Sequence, residues 1–185
     1  GQLGNGAFKT SLGPVHVASS VRFSTIEAGG FHTCALAQDG QAYCWGENNY
    51  GQLGIGSLDN SAVPVLVSGG VTYTSISAGD THTCAIAADA HAWCWGSSLF
   101  GELGTTLLQV SGPGWLVPSA VFGGHSFSSI SAGAGFTCAV MISGAGWCWG
   151  RGLEGQIGNG HAQNSSTPQL VTQGQFSAPF SFTSI

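Results

Sequence analysis

Cys44-Trp45-Gly46-Glu47-Asn48-Asn49-Tyr50-Gly51-Gln52-Leu53-Gly54 joins two short motifs, Cys-Trp-Gly and Gly-Gln-Leu-Gly, with seven residues from the cysteine to the first glycine of the second. Both motifs return at that same distance. Cys-Trp-Gly recurs at Cys94 and Cys148, and the glycine motif at Gly1, at Gly101 (as Gly-Glu-Leu-Gly) and at Gly155 (as Gly-Gln-Ile-Gly), so the intervals are 50, 50 and 54 residues. Upstream, Ile26, Ile76 and Ile130 each stand eight residues before a first cysteine, and each first cysteine stands ten before the second. Self-similarity at such a period marks a repeat architecture. Only the segment from glycine motif to isoleucine changes length, at 25, 25, 29 and, up to Ile185, 30 residues. Packed strands do not tolerate insertions and surface loops do, so the variation maps to one loop region per unit.

Within the repeat, short apolar runs alternate with Gly and Ser and show no helical period, which predicts an all-β chain with four strands per unit. The first strand is expected at Pro14–Val17, Pro64–Val67, Trp115–Val117 and Pro168–Val171. The second is expected at Phe23–Ile26, Tyr73–Ile76, Phe127–Ile130 and Phe180–Ile185. The third is His32–Ala37 and the fourth Ala42–Trp45, with equivalents in the next two units. Asp39-Gly40 suits the positive φ angles of a tight hairpin between the last two. One such unit cannot bury both faces, so neighbours must stack. The prediction is a β-propeller-type repeat of units 1–50, 51–100, 101–154 and a partial 155–185. It forms a single repeat domain of about 3.5 blades over residues 1–185.

Composition removes several classes of function. Eleven of 185 residues are charged and the net charge is −5, with only three Lys+Arg, so a phosphate backbone cannot be neutralised and nucleic acid is excluded as a main partner. No apolar run is long enough to span a bilayer, so no membrane span is expected. The chain starts at Gly1 without an initiator Met or a signal-type segment, as processing or a longer parent protein would leave it. The low charge fits a surface that other protein or sugar covers.

Strands three and four form a hairpin, so Cys34 and Cys44 face each other about Asp39, at a separation a disulfide accepts. The same holds for Cys84 with Cys94 and Cys138 with Cys148. Three intra-unit disulfides are expected, each contributing about 2–3 kcal/mol. Six buried free thiols are the alternative; zinc is weaker, because its ligand pairs sit two to four residues apart. Paired cysteines imply an oxidising, extracellular location, secreted or at the cell surface.

No cofactor and no metal are predicted. His32 and His82 share one repeat position that Phe136 fills in the third unit, which points to packing or a local backbone hydrogen bond. His16, His91, His125 and His161 read as surface or loop residues. No Gly-x-Ser-x-Gly elbow occurs, the carboxylates are scattered, and the glycine motifs lack a phosphate-loop lysine, so no catalytic residue is named. Trp45, Trp95 and Trp149 occupy one phase and are expected in the core between blades, with Tyr43, Trp93 and Trp147 on the same face. Trp115, in the lengthened segment of the third unit, is either exposed, for sugar stacking or a protein contact, or packed under its own loop. Asn164-Ser165-Ser166 is an N-glycosylation acceptor in a variable segment, a surface position.

The combination Gly-Gln-Leu-Gly-x-Gly, Ala-Gly-x-x-His-Thr-Cys-Ala-Leu and Cys-Trp-Gly-x-Asn-x-x-Gly resembles the regulator-of-chromosome-condensation repeat. That resemblance implies seven-bladed propellers built from units of about 50 residues. Its members include a nucleotide exchanger on a small nuclear GTPase, a plant ultraviolet-B sensor with Trp among many Arg, and a secreted inhibitor of β-lactamase. Only Arg22 and Arg151 occur here, which sets this chain closest to the secreted, cysteine-paired kind. Seven blades need about twice this length, so residues outside this sequence or other copies must complete the ring. The expected function is a non-catalytic extracellular module for structural assembly, adhesion or protein–protein interaction. It would self-associate as a fibre or closed oligomer, or form part of a longer chain. The alternative is a secreted recognition protein that binds carbohydrate or inhibits a secreted enzyme.

Overall fold

The computed structural model describes residues 1–106 and 114–172. They hold twelve strands and no helix. Three antiparallel four-stranded sheets follow one another. The first is β1 (Phe23–Ala28), β2 (His32–Ala37), β3 (Ala42–Gly46) and β4 (Ser61–Leu66), paired in that order. The second is β5 (Tyr73–Ala78), β6 (His82–Ala87), β7 (Ala92–Gly96) and β8 (Trp115–Ala120). The third is β9 (Phe127–Ala132), β10 (Phe136–Met141), β11 (Gly146–Gly150) and β12 (Ser165–Leu170). Each sheet is one propeller-type blade. β5 touches both β1 and β9, so first strands line the inner side and fourth strands lie outside.

The blades are out of phase with the sequence units. β4 lies in the second unit yet closes the first blade, pairing Tyr43 with Leu66 and Gly46 with Ser61. The first strands of the second, third and fourth units thus complete the blades before them, and the chain crosses each seam by a covalent link. Pro14–Val17 corrects the expectation of a strand: it forms none, because the sheet it would close is not among the described residues and a lone strand has no ladder partner. Phe180–Ile185 lies outside the described residues.

The hairpins also differ from the expected two-residue turn. Gly40 N–H donates to Ala37 O and Ala37 N–H to Gln41 O, which makes a three-residue loop with only its last residue, Gly40 (φ +82°), in the left-handed region. Gly144 (φ +87°) repeats this in the third blade, but the second blade places Ala90 there (φ 69°). A Cβ in that region costs about 1–2 kcal/mol. Ala90→Gly is therefore expected to raise stability by about 0.5–1 kcal/mol, part of the relief being offset by the freer unfolded chain. Denaturant titration of the two proteins checks it; an unchanged or lower midpoint contradicts it.

The cores sit between blades. Each hairpin's even-numbered residues in the first two blades face forward, toward the next blade, and the odd-numbered ones face back. The forward Cys34, Leu36, Ala42 and Cys44 pack with Leu53 and Val67 against the backward Tyr73, Ile76, Ala85, Ala87 and Trp95. Cys84, Ile86, Ala92, Cys94, Leu103 and Val121 repeat this against Phe127, Ile130, Ala139 and Trp149. Trp95 and Trp149 are buried in the two seams, as their repetition predicts, and Trp45 is buried under the turn at Gln2.

Candidate protein-interaction faces

Each seam is bound by the same polar set. The Gly-Gln-Leu-Gly turn aims one backbone carbonyl inward. Gln52 O accepts from Trp95 Nε1 (2.9 Å) and Thr83 Oγ1 (2.9 Å). Glu102 O accepts from Trp149 Nε1 (2.9 Å) and Thr137 Oγ1 (2.8 Å), and Gln2 O from Trp45 Nε1 (2.8 Å) and Thr33 Oγ1 (2.9 Å). The fourth turn residue must be glycine: a Cβ on Gly54 would stand 2.7 Å from Trp95 Nε1, and its φ is +67°.

Histidine then crosses the seam. His32 Nε2 lies 2.8 Å from Thr83 Oγ1 and His82 Nε2 lies 2.9 Å from Thr137 Oγ1. Each threonine has already given its one hydroxyl proton to a carbonyl, so it accepts here, and the imidazole must carry its proton on Nε2. The bare Nδ1 atoms of His32 and His82 are buried without a partner. Both rings are buried, in keeping with the packing expected at this position, and the expected local backbone bond is corrected to a side-chain bond between blades. The partners stand 51 and 55 residues apart, beyond any local pattern.

Burial holds both imidazoles neutral, lowering His32 to about 4 and His82 to about 3, the latter also through repulsion from His32. In the unfolded chain both return to the ordinary 6.5. Above that value the folded state keeps its full stability; below it the unfolded state binds protons that the folded state refuses, and stability falls until the folded values are passed. Thermal midpoints are expected to drop between pH 7 and 4.5, with a limiting slope of about 1.4 kcal/mol per pH unit per histidine. His82→Phe should halve that slope whatever its own offset, and an unchanged slope contradicts the assignment.

The three cysteine pairs are bonded: Cys34–Cys44, Cys84–Cys94 and Cys138–Cys148 each join directly opposed residues with Cα atoms 4.1 Å apart. Trp115 opens β8 opposite Gly96, within the expected strand, and is half-buried and packed against the second core. Pro118, not Trp115, is in phase with Pro64 and Pro168. Asn164 is exposed, and its Oδ1 accepts from Gly152 N–H (3.1 Å), as Asn60 Oδ1 accepts from Asn48 N–H (2.7 Å). Asn48 itself, missed in the sequence, is buried and ties the loop to Ser57 and Asp59 through its amide. His91 pairs with exposed Asp89 (3.3 Å), and His125 stacks on Trp147 with centroids 4.4 Å apart. Among the described residues no His/Cys/Asp/Glu group is arranged to hold a metal, and no helix is long and apolar enough to cross a membrane.

What remains are two open blade faces. Ile76 and Ile130 are 5% and 6% exposed, but Ile26 at the same position is 56% exposed. Leu53 and Leu103 are sealed at 0%, while Leu3 is 39% exposed. The backward face of the first blade is thus half of a seam. The forward face of the third blade is the other half: Cys138, Cys148, Ile157 and Val171 line an apolar cleft of about 170 Å³. Among the described residues, none that lines that cleft is charged.

The described residues form a stack of propeller-type blades, a repeat scaffold whose two end faces have no neighbouring blade among those residues. Family models for the Regulator of chromosome condensation (RCC1) repeat match residues 1–36 and 39–86 in one form and 23–52 and 73–102 in another. Together they span residues 1–102, more than half the chain, and the chain belongs to that repeat family. No curated protein matches it in sequence. Among solved structures it is similar to Prp20p from Saccharomyces cerevisiae, at 23% identity and a TM-score of 0.73, over 82% of this chain and 38% of Prp20p. Human WBSCR16 matches at 20% identity and a TM-score of 0.74, over 84% of this chain and 39% of its own. The ectodomain of the Physcomitrella patens receptor kinase CR4 matches at 24% and 0.54, over 74% and 31%. The chain therefore spans under two-fifths of the length of these relatives, and at these identities the likeness speaks for the fold.

Proposed function

We propose that this chain is a non-catalytic extracellular assembly module that works by joining further blades through its open faces, in sister copies or in the rest of a longer polypeptide. The observation that carries this reading is positional. Residues sealed inside the two seams are open at the ends, and apolar surface of that kind is covered in a working protein. The outer strands contain Pro64, Pro118 and Pro168, which cannot donate to a further ladder, so the faces and not the sheet edges offer the contact. Three disulfides favour an oxidising compartment. Blades of this type occur in the receptor-kinase ectodomain named above; the Prp20p structure was described together with binding to Gsp1p and histones. The carbohydrate alternative rests on Trp115, which is half-buried against the second core.

Sedimentation over a wide concentration series tests the reading. Association through an open face is expected, and a monodisperse monomer that leaves both faces bare contradicts it. We also propose that Asn164 accepts N-linked sugar, since its side-chain nitrogen has no partner among the described hydrogen bonds. Its oxygen's structural role is shared by Asn60, which lacks the acceptor motif. Expression through a eukaryotic secretory route should yield a mass that falls on glycosidase treatment, and an unaltered mass refutes the assignment.

A further inference from the structure

We propose that the backward face of the first blade receives a three-stranded RCC1-type blade that carries histidine at the position of His32 and His82, and that Pro14–Val17 supplies this partner's missing outer strand. The inference rests on the assembly reading above and names its partner.

The first argument is the hydroxyl. Thr33 is placed as Thr83 and Thr137 are, each donating to the carbonyl of the turn residue in its own seam. Two of the three also accept from a histidine of the preceding blade. Thr33, almost buried, has no such donor among the described residues. Leu3 and Ile26 add exposed apolar surface to this face, and Gln2, whose counterparts Gln52 and Glu102 are sealed, is exposed beside them. Apolar contact gives little choice between partners, so discrimination falls on polar positions, of which Thr33 is the nearly buried one that lacks the donor its counterparts have.

The second argument is the strand. In both internal seams, the segment between the glycine motif and the isoleucine closes the blade behind it, as β4 and β8 do. Pro14 and Val17 stand in the same phase as Pro64 and Val67. The glycine turn is in place beside them, with Ala18 N–H donating to Gly4 O as Ser68 N–H donates to Gly54 O. Val67 N–H donates to Ala42 O in the hairpin behind it; Val17 awaits that acceptor. The fitting partner therefore has three strands and an open fourth position, and the joint is strand addition combined with face packing.

A sister copy does not meet either requirement. Its third blade already holds β12 in the outer position. It also presents Phe136 where histidine is needed, with the ring against Gly133 as the imidazole of His82 lies against Gly79; a Cβ on either glycine would stand 2.7 Å from the ring. Phe136 fits the slot and cannot donate.

The test extends the full chain with a duplicate of residues 1–50 placed before Gly1, so that the duplicate's hairpin meets Thr33. Four forms are compared: the duplicate as it stands, the duplicate with its own His32→Phe, and each of these with Thr33→Val in the parent part. Docking is read by protection of Ile26 and of the Val17 amide in hydrogen exchange, and by the docking constant from denaturant titration. The histidine form is expected to dock roughly 2- to 10-fold more tightly than the phenylalanine form, the range of one net hydrogen bond, and Thr33→Val should remove that difference. Equal docking by both forms, or a difference that survives Thr33→Val, overturns the histidine match and leaves the assembly reading standing. Failure of every duplicate to protect Ile26 overturns both. A tight dimer of the unextended chain that protects Ile26 assigns the face to a sister copy and overturns this proposal.

Discussion

Full reduction of the three disulfides is expected to unfold the chain at physiological temperature. Each bridge closes a loop between cysteines ten residues apart. Constraining such a loop in the unfolded chain is worth about 2–3 kcal/mol, or about 6–9 kcal/mol for three if they act independently. A domain of this size has about 5–15 kcal/mol in all. The bridges also lie in the seams, where Cys34, Cys44, Cys84 and Cys94 are fully buried among the residues that join blades, so losing them loosens the contacts that hold one blade to the next. Thermal melts with and without a strong reductant, followed by near-ultraviolet circular dichroism of the seam tryptophans, measure this directly. Equal midpoints in both conditions would sink the claim, and with it the argument for an oxidising compartment.

The second large effect is expected at Trp95. Its indole is fully buried in the first seam, tilted against Tyr73 with centroids 6.0 Å apart, and bonded to Gln52 O. Trp95→Ala opens a cavity that neither blade can fill, because the neighbouring strands are held by a disulfide and by the glycine turn. The cost is about 3–5 kcal/mol. Trp45→Ala should cost less, since Trp45 has no blade behind it, only the turn at Gln2 and Gly4 and the ring of Phe23. Paired denaturant titrations give both numbers. A loss at Trp45 as large as that at Trp95 contradicts the view that the seams, and not the single blades, carry the stability.

The repeat, the all-β class and the cysteine pairing were legible because they depend on short fixed spacings. Cys34 and Cys44 flank one hairpin, and the pairing of a hairpin is local. The membership of the first strand was not legible: Ser61–Leu66 looks alike whether it opens the second blade or closes the first, and only its ladder with Tyr43 and Cys44 decides. Pro14–Val17 shows the same limit from the other side, having the pattern of a strand without a sheet to pair with. The phase of the strand that opens at Trp115 was hidden by the lengthened segment, and Pro118 would have restored it. The histidine–threonine bond joins residues more than fifty positions apart. The one available signal was that every first cysteine follows a threonine and that two of the three threonines follow a histidine.

The sulfur bridges are not equally sheltered. Cys34, Cys44, Cys84 and Cys94 are sealed, while Cys138 is only partly covered and Cys148 borders the open cleft. Thiol–disulfide exchange requires an attacking thiolate to reach a sulfur atom, so a mild reagent meets the Cys138–Cys148 bond first. The exchange rate of that bond is therefore expected to fall once another blade settles over that cleft.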